Sequence, residues 1–425
     1  MNRRTTTIRS LALLASVSLV LTACGSDSDG DATPSATGAA TTGASGESLL
    51  LGTLLPVTGS LSQLGPPEIA GVDLAVKEIN EAGGVLGADV EVSHKDSSDA
   101  ENTQVATQSV TELISEGASA IIGAASSQVT LNVIDDVVGS ETVMISPANT
   151  SATLSGYSDF FFRTAPPDTV QGDVLGNLIL SDAAANLSIL VFNEDYGTGL
   201  RDVVKGVVEE AGGTVSYGNP GEEFDPTEQN FSSIVGSALS SSPDAVAIIA
   251  FTTQTPLIVQ ELVNQGFDMS KVYFVDGNLQ NFGDEFDPGT LEGAQGTLPG
   301  AFPSDEFRDR LLEVNPDLND FSYAAESYDA AMLASLAAVR GGATDGATIQ
   351  ANMAAVSGAE GGTECTGFAE CAELLEGDEE INYQAVSGVG PFNAANDPSA
   401  ANIGIYKFDG ENNNSFQRGE FGEIG

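Results

Sequence analysis

From residue 49 onward, short runs of Leu, Ile and Val alternate with longer stretches in which apolar residues recur every three or four positions. A run of the first kind predicts a strand buried on both faces, and a stretch of the second kind predicts a helix with one face turned to a core. The first pair is strand 49–55 and helix 66–82, in which Ile69, Val72, Val76 and Ile79 share a face. Pro66 and Pro67 mark its start and Gly83-Gly84 its end. Strands at 89–93, 118–123 and 142–146 then alternate with helices at 101–116 and 129–138. After an extended piece at 160–164 the alternation restarts, with helices 170–182, 198–211, 231–239 and 256–264 and strands 187–192, 214–217, 245–251 and 272–275. A strand at 293–298, helices 306–314, 323–339 and 348–356, and a turn-rich tail from 382 with a strand at 403–408 complete the chain. Regular βαβ alternation predicts parallel sheets, and the restart predicts two similar α/β lobes.

Composition narrows the function. The chain has 425 residues, of which 41% are hydrophobic, enough for two to three domains with sizeable cores. Sixty-one acids against 14 bases give a net charge of −47. That balance excludes nucleic acid as a partner, because binding a phosphate backbone needs clustered Lys and Arg. The single histidine, His94, removes zinc sites built on His pairs and leaves Ser-His-Asp catalysis hanging on one residue. His94 stands in a strand-like stretch and reads as a surface residue.

The N-terminus reads as an export signal over 1–23. Arg3, Arg4 and Arg9 form its positive region and 11–21 its apolar stretch, too short to span a bilayer. Leu21-Thr22-Ala23-Cys24 resembles the lipobox of bacterial lipoproteins, in which the cysteine is diacylated and becomes the mature N-terminus. Residues 24–48 are Ser, Thr, Gly, Ala and Asp in the main, the composition of a flexible tether. Asp27, Asp29 and Asp31 imitate half a calcium loop, but Ala32 replaces its Gly and Gly38 its closing Glu, so no metal site is expected. Loss of the signal leaves 11 bases against 61 acids, a charge of −50 that repels anionic lipid, so the lipid on Cys24 must hold the protein at the membrane.

Cys365 and Cys371 lie six positions apart in this exported chain, with no further Cys or His near enough to complete a metal site. They predict a disulfide stapling a local loop. Gly197-x-Gly199 follows a strand, but Asp202 stands where a dinucleotide fingerprint needs its third Gly. No phosphate loop, nucleophile elbow or His-Glu-x-x-His occurs, and no cofactor is expected. A two-lobed, tethered α/β protein without catalytic machinery fits a ligand receptor better than an enzyme.

An ordered set of motifs then resembles the leucine/isoleucine/valine-binding proteins of ABC importers. It comprises Leu55-Pro56-Val57-Thr58-Gly59, Gly65, 71–80 with Ala82-Gly83-Gly84-Val85-Leu86-Gly87, and Ile121-Ile122-Gly123-Ala124-Ala125-Ser126-Ser127. Ile145-Ser146-Pro147-Ala148-Asn149-Thr150, Phe162-Arg163-Thr164-Ala165-Pro166, Asp195-Tyr196-Gly197 and Asp276-Gly277 continue it. The resemblance implies a type I periplasmic binding protein, two Rossmann-like lobes with parallel sheets joined by a three-crossing hinge. It divides the chain into a first lobe of 49–166 plus 300–387 and a second of 167–299 plus 388–425, with the hinge near 165–168, 298–301 and 387–391.

The resemblance also implies site residues: hydroxyls of Ser127 and Thr150 for a ligand carboxylate, the carbonyl of Ala148 and the carboxylate of Asp276 for its ammonium, and Tyr196 and Phe251 as covers. Both Ser126-Ser127 and 148–150 follow strands, where ligands bind in open α/β sheets. Ser and Thr at such turns can equally serve as caps, and Asp-Gly after a strand as a turn. Leu64 and Phe251-Thr252 depart from the aromatic and tyrosine residues of several relatives, which bears on pocket shape. The implied function is a monomeric, membrane-anchored extracytoplasmic protein that captures a branched-chain or other neutral amino acid for ABC permease subunits. Relatives on this scaffold take amides, urea derivatives or carboxylic acids, or serve a membrane kinase as sensors.

Overall fold

The computed structural model describes residues 48–423 apart from residue 284. The expected export signal 1–23, the lipobox cysteine Cys24 and the tether up to residue 47 lie outside the described residues.

The first sheet is built from β1 (Leu50–Leu55), β2 (Glu91–Asp96), β3 (Ala120–Gly123), β4 (Val143–Ser146) and β5 (Phe161–Arg163), all parallel, in the order β2-β1-β3-β4-β5. Helices α1 (Gly65–Glu81), α2 (Thr103–Glu116) and α3 (Ser127–Gly139) connect them. Successive strand residues point to opposite faces, and both faces are buried. Ala120, Ile122, Val143, Ile145 and Phe162 enter one apolar core, while Ile121, Met144 and Phe161 enter the other with α2 and α3.

The second lobe continues with α4 (Asp168–Ser181), β6 (Asn186–Val191), α5 (Asp195–Glu210), β7 (Thr214–Tyr217), α6 (Ser232–Leu239), β8 (Ala245–Ile249), α7 (Thr255–Asn264), β9 (Val272–Phe274) and β10 (Gln295–Pro299). The chain then returns to the first lobe for α8 (Asp305–Val314), α9 (Ala324–Gly341), α10 (Gly346–Val356), β11 (Thr363–Cys365), α11 (Gly367–Glu376) and β12 (Ile381–Tyr383). It crosses a third time to add β13 (Ala400–Phe408) and β14 (Asn414–Glu423) to the second sheet, whose order is β14-β13-β10-β9-β8-β6-β7. This sheet is parallel only through β10; β13 and β14 pair antiparallel at its edge.

Fifteen of the 18 residues of α9 are buried, so it has no solvent face and serves as the interior helix of the first lobe. Its Ala-rich sequence lets α1, α10 and α11 pack on it closely. Gly71 of α1 meets it where any Cβ would stand 2.2 Å from the carbonyl oxygen of Ala324.

Both lobes agree with the periodicity, and the differences have local causes. Strand 89–93 is displaced to β2, because pairing with β1, not hydrophobicity, sets the ends of this polar edge strand. Helix 101–116 starts with a 3₁₀ turn at Ala100–Asn102. The small β11–α11–β12 insertion is additional, and Cys365 and Cys371 are joined within it by a disulfide, their Cα atoms 5.3 Å apart. His94 lies on β2, its Nδ1 2.9 Å from the hydroxyl of Thr53 and its Nε2 3.0 Å from a carboxylate oxygen of Asp73. No helix among the described residues is long and apolar enough to cross a membrane.

Candidate functional site

The carboxyl ends of β3 and β4 carry two loops that lean on each other. Ser146, at the end of β4, donates to the carbonyl of Ala124 at 2.6 Å and accepts from the amide of Asn149 at 2.9 Å. The Asn149 side chain donates to the carbonyls of Ala124 and Ala125 at 3.0 and 2.8 Å. Arg163, fully buried at the end of β5, donates from Nη1 to the carbonyl of Ser151 at 2.7 Å and from Nε to Asp397 at 2.6 Å. The loop after β4 is thereby held from beneath by a charge that is itself paired.

Ser127 opens α3, with Ser126 as the cap whose hydroxyl accepts from the amide of Val129 at 3.3 Å. The amides of Ser127 and Gln128 find no acceptor among the described residues, as expected of a first helical turn, and give this end of the cleft partial positive charge. The Ser127 oxygen accepts from the amide of Ser151 at 3.3 Å, which leaves its O–H free to donate. Thr150 stands beside it and accepts, through its carbonyl, the amide of Asp168 at 2.6 Å.

The opposite wall comes from the second lobe. Asp276 follows β9 in a 3₁₀ turn. Its Oδ1 accepts from Tyr196 at 2.7 Å and from Gln171 at 2.9 Å, and its Oδ2 from Tyr323 at 2.8 Å. Burial raises its pKa, and the three side-chain donors work against that rise. Phe251, at the end of β8, stacks on Tyr196 with ring centroids 5.7 Å apart and planes 9° from parallel. Behind Thr150 lies Asp168, fully buried with both carboxylate oxygens unpartnered; burial and then Asp276 push its pKa well up.

Ser127, Ala148, Thr150, Tyr196, Phe251 and Asp276 therefore line one cavity, together with Leu61, Leu64 and Tyr323. Its volume is about 10 Å³, close to the minimum that holds one water. The lobes are closed over it by bonds that span the cleft. Ser151 donates to Asp195, Thr153 donates to the same carboxylate at 3.0 Å, and Thr252 donates to the carbonyl of Ser60 at 2.8 Å. His94 is not among the lining residues. Tyr323 and Gln171 escaped the sequence reading. Tyr323 has a φ of 58° just ahead of the Ala-rich α9, where a lone aromatic reads as core, and Gln171 occupies an ordinary polar position of α4.

A family model described as periplasmic binding protein matches residues 49–372. The chain belongs to that family. The substrate-binding protein BasB of a chemotactic signal transduction system in Halobacterium salinarum is 28% identical over 373 residues, 83% of this chain and 85% of that protein. A leucine-, isoleucine-, valine-, threonine- and alanine-binding protein of Pseudomonas aeruginosa is 26% identical over 272 residues, 61% of this chain and 68% of its own length. Among solved structures, the branched-chain amino acid transporter substrate-binding protein LivJ of Streptococcus pneumoniae, in complex with isoleucine, superposes with a TM-score of 0.72 at 20% identity, covering 89% of this chain and 100% of that one. The family fold is the type I periplasmic binding protein, two lobes joined by three crossings, and the family is one of substrate-binding proteins rather than enzymes.

Proposed function

We propose that this protein is the extracytoplasmic substrate-binding component of an ABC importer and captures a neutral, branched-chain amino acid between its lobes. One observation carries the reading: the cavity has two ends of opposite polarity. Free helix amides with the hydroxyls of Ser127 and Thr150 stand at one end, and the Asp276 carboxylate stands at the other. A carboxylate suits the first and an ammonium the second, and Leu61, Leu64 and Phe251 offer apolar surface to a side chain between them. Ala148 would present its carbonyl to the ammonium. The first lobe is taken as 49–166 plus 300–387 and the second as 167–299 plus 388–425, each supplying one end of the site. Cys24 would carry the lipid that keeps this acidic protein at the membrane, and residues 24–48 would be its tether. Permease subunits would be the partner and the working form a monomer.

The cavity as closed is far smaller than any branched side chain, so ligand must enter with the lobes apart and then be enclosed. A thermal-shift screen of the purified protein against the neutral amino acids tests the function, because a ligand that binds only the folded state raises its stability. Leucine, isoleucine or valine should raise the melting temperature in a concentration-dependent way. A shift with benzoate or acetamide and none with any amino acid would contradict the reading.

The relative in a chemotactic system, matching along most of the chain, favours a second reading in which the occupied protein reports to a membrane receptor. Deleting the gene and measuring leucine uptake separates the two: unchanged uptake with lost behavioural response assigns the protein to sensing.

A further inference from the structure

Tyr323 forms part of the wall of a second, larger cavity between the lobes, of about 430 Å³. Phe302, Phe321, Tyr406 and Phe416 line it, and two carboxylates, Asp320 and Glu326, face it. Phe302 stacks on Phe416 with centroids 4.7 Å apart, and Tyr406 meets Phe416 edge-on at 5.7 Å. Glu326 lies one turn along α9 from Tyr323 and is 3% exposed. No side chain among the described residues donates to its carboxylate. Burial and then Asp329 raise its pKa, and its own amide offsets only part of this. Glu68 of α1 is buried and unpartnered as well, and burial followed by Glu326 pushes its pKa well up, so it offers no countercharge. A carboxyl so placed keeps its proton when alone and gives it up only beside a cation, which would then occupy the cavity.

The one cationic residue lining this cavity does not fill that role. Arg308 of α8 is paired with Asp305, and its guanidinium lies 5.1 Å from the ring centroid of Phe302 and 5.8 Å from that of Phe321. It shows instead that these ring faces attract positive charge.

We propose that this cavity is a second binding site, for an organic monocation of the alkylammonium class, with Glu326 as its countercharge and Phe321 and Tyr406 as its aromatic walls. An alkylammonium sets apolar carbons against the rings while its charge faces the carboxylate, and the attraction of a cation to ring faces is greatest where water is excluded. An anion would face both Asp320 and Glu326. A divalent metal is disfavoured, because no cluster of three or more metal-binding His, Cys, Asp or Glu side chains occurs among the described residues. The site shares Tyr323 with the amino-acid cavity but not Asp276, so it does not rest on the function proposed above.

Calorimetric titration with choline, and with its neutral isostere 3,3-dimethylbutan-1-ol, tests the site. Choline should bind wild-type protein at least about tenfold more tightly than the alcohol. Glu326→Gln should abolish that preference, while Asp276→Asn should leave choline binding unchanged and weaken leucine. Phe321→Leu, at a partly exposed position, should weaken choline at least about fivefold without affecting the alcohol, and it stands in if Glu326→Gln fails to give a native circular-dichroism spectrum. No choline binding to wild type, equal affinity for the two probes, or full choline affinity in both variants overturns the proposal. Loss of leucine binding alone would touch only the amino-acid site.

Discussion

Tyr323 donates its phenolic O–H to Oδ2 of Asp276 at 2.8 Å, a bond from the first lobe into the second. With Tyr196 and Gln171 on Oδ1, the chain itself satisfies the carboxylate in the closed form. An arriving ammonium must displace or share one of these donors, and Tyr323, the one that comes from the opposite lobe, is the one freed when the cleft opens. Asp276→Asn should weaken leucine by about 3–5 kcal/mol, the cost of removing one partner of a buried charge pair. Titration calorimetry checks this against 4-methyl-2-oxopentanoate, which lacks the ammonium and should lose little. Equal losses for both ligands would contradict a zwitterion site.

Ser127→Ala and Thr150→Ala should each weaken an amino-acid ligand by about 1.5–3 kcal/mol, the range for hydrogen bonds to a charged group. The urea midpoint of Ser127→Ala should move little, since that oxygen only accepts within the closed protein, whereas Thr150→Ala should also lower it somewhat, because the Thr150 hydroxyl stands against the buried Asp168 carboxyl. Wild-type affinity in both variants would take these residues out of the site.

Glu194 makes closure depend on pH. Burial, then Glu101 and Asp99 of the other lobe, raise its pKa to about 8. Parting the lobes removes those two neighbours, so the closed form holds the proton more tightly and closure takes one up. Because the open form ionises first, closure loses stability as pH rises from the lower pKa of the open form up to about 8, where the closed form ionises against Asp99 and Glu101 as well and the loss levels off. Ligand affinity should therefore fall between about pH 6 and 8 and level off above that in the wild type, and fall more gently in Glu194→Gln. Identical pH profiles would show that Glu194 plays no part.

Arg163→Met should lower folding stability by about 3–5 kcal/mol, because it strands Asp397 without its countercharge and frees the carbonyls of Asn149 and Ser151. Urea unfolding should show a lower midpoint at an unchanged slope. A midpoint within error of wild type would mean that water replaces the guanidinium at no cost.

The lobes were legible because buried parallel strands repeat Ile and Val, as in 120–123 and 143–146, whatever their tertiary partners. Ser127 and Thr150 each stand just past such a strand, where the pattern alone reads them as caps and turns; only the family resemblance marks them as candidate ligands. Tyr323 and Gln171 were not, since each reaches the cleft from a helix that packs elsewhere, and periodicity carries no record of which lobe a helix faces. The edge strand β14 has Phe416 and Phe421 among polar residues and glycines, and only its pairing with β13 makes it a strand. The three-residue strands β11 and β12 are too short to show a period at all.

The three crossings are fastened to a single stretch of α9. Thr164 of the first donates to the carbonyl of Glu326 at 2.9 Å. Gly300 of the second, with a φ of +99°, lies where a Cβ would stand 2.1 Å from the Glu326 carboxylate. The third gives the amides of Val386 and Ser387 and the hydroxyl of Tyr383 to Asp329 at 2.7 to 3.0 Å, and the second crossing is bonded to it through Ala301. If the lobes turn about this one anchor as rigid bodies, each keeps its own surface unchanged. Occupancy is then written only in the angle between the lobes. A membrane partner that touches one lobe reads the same surface whether the cleft is full or empty, so it must grip both lobes at once to tell cargo from none.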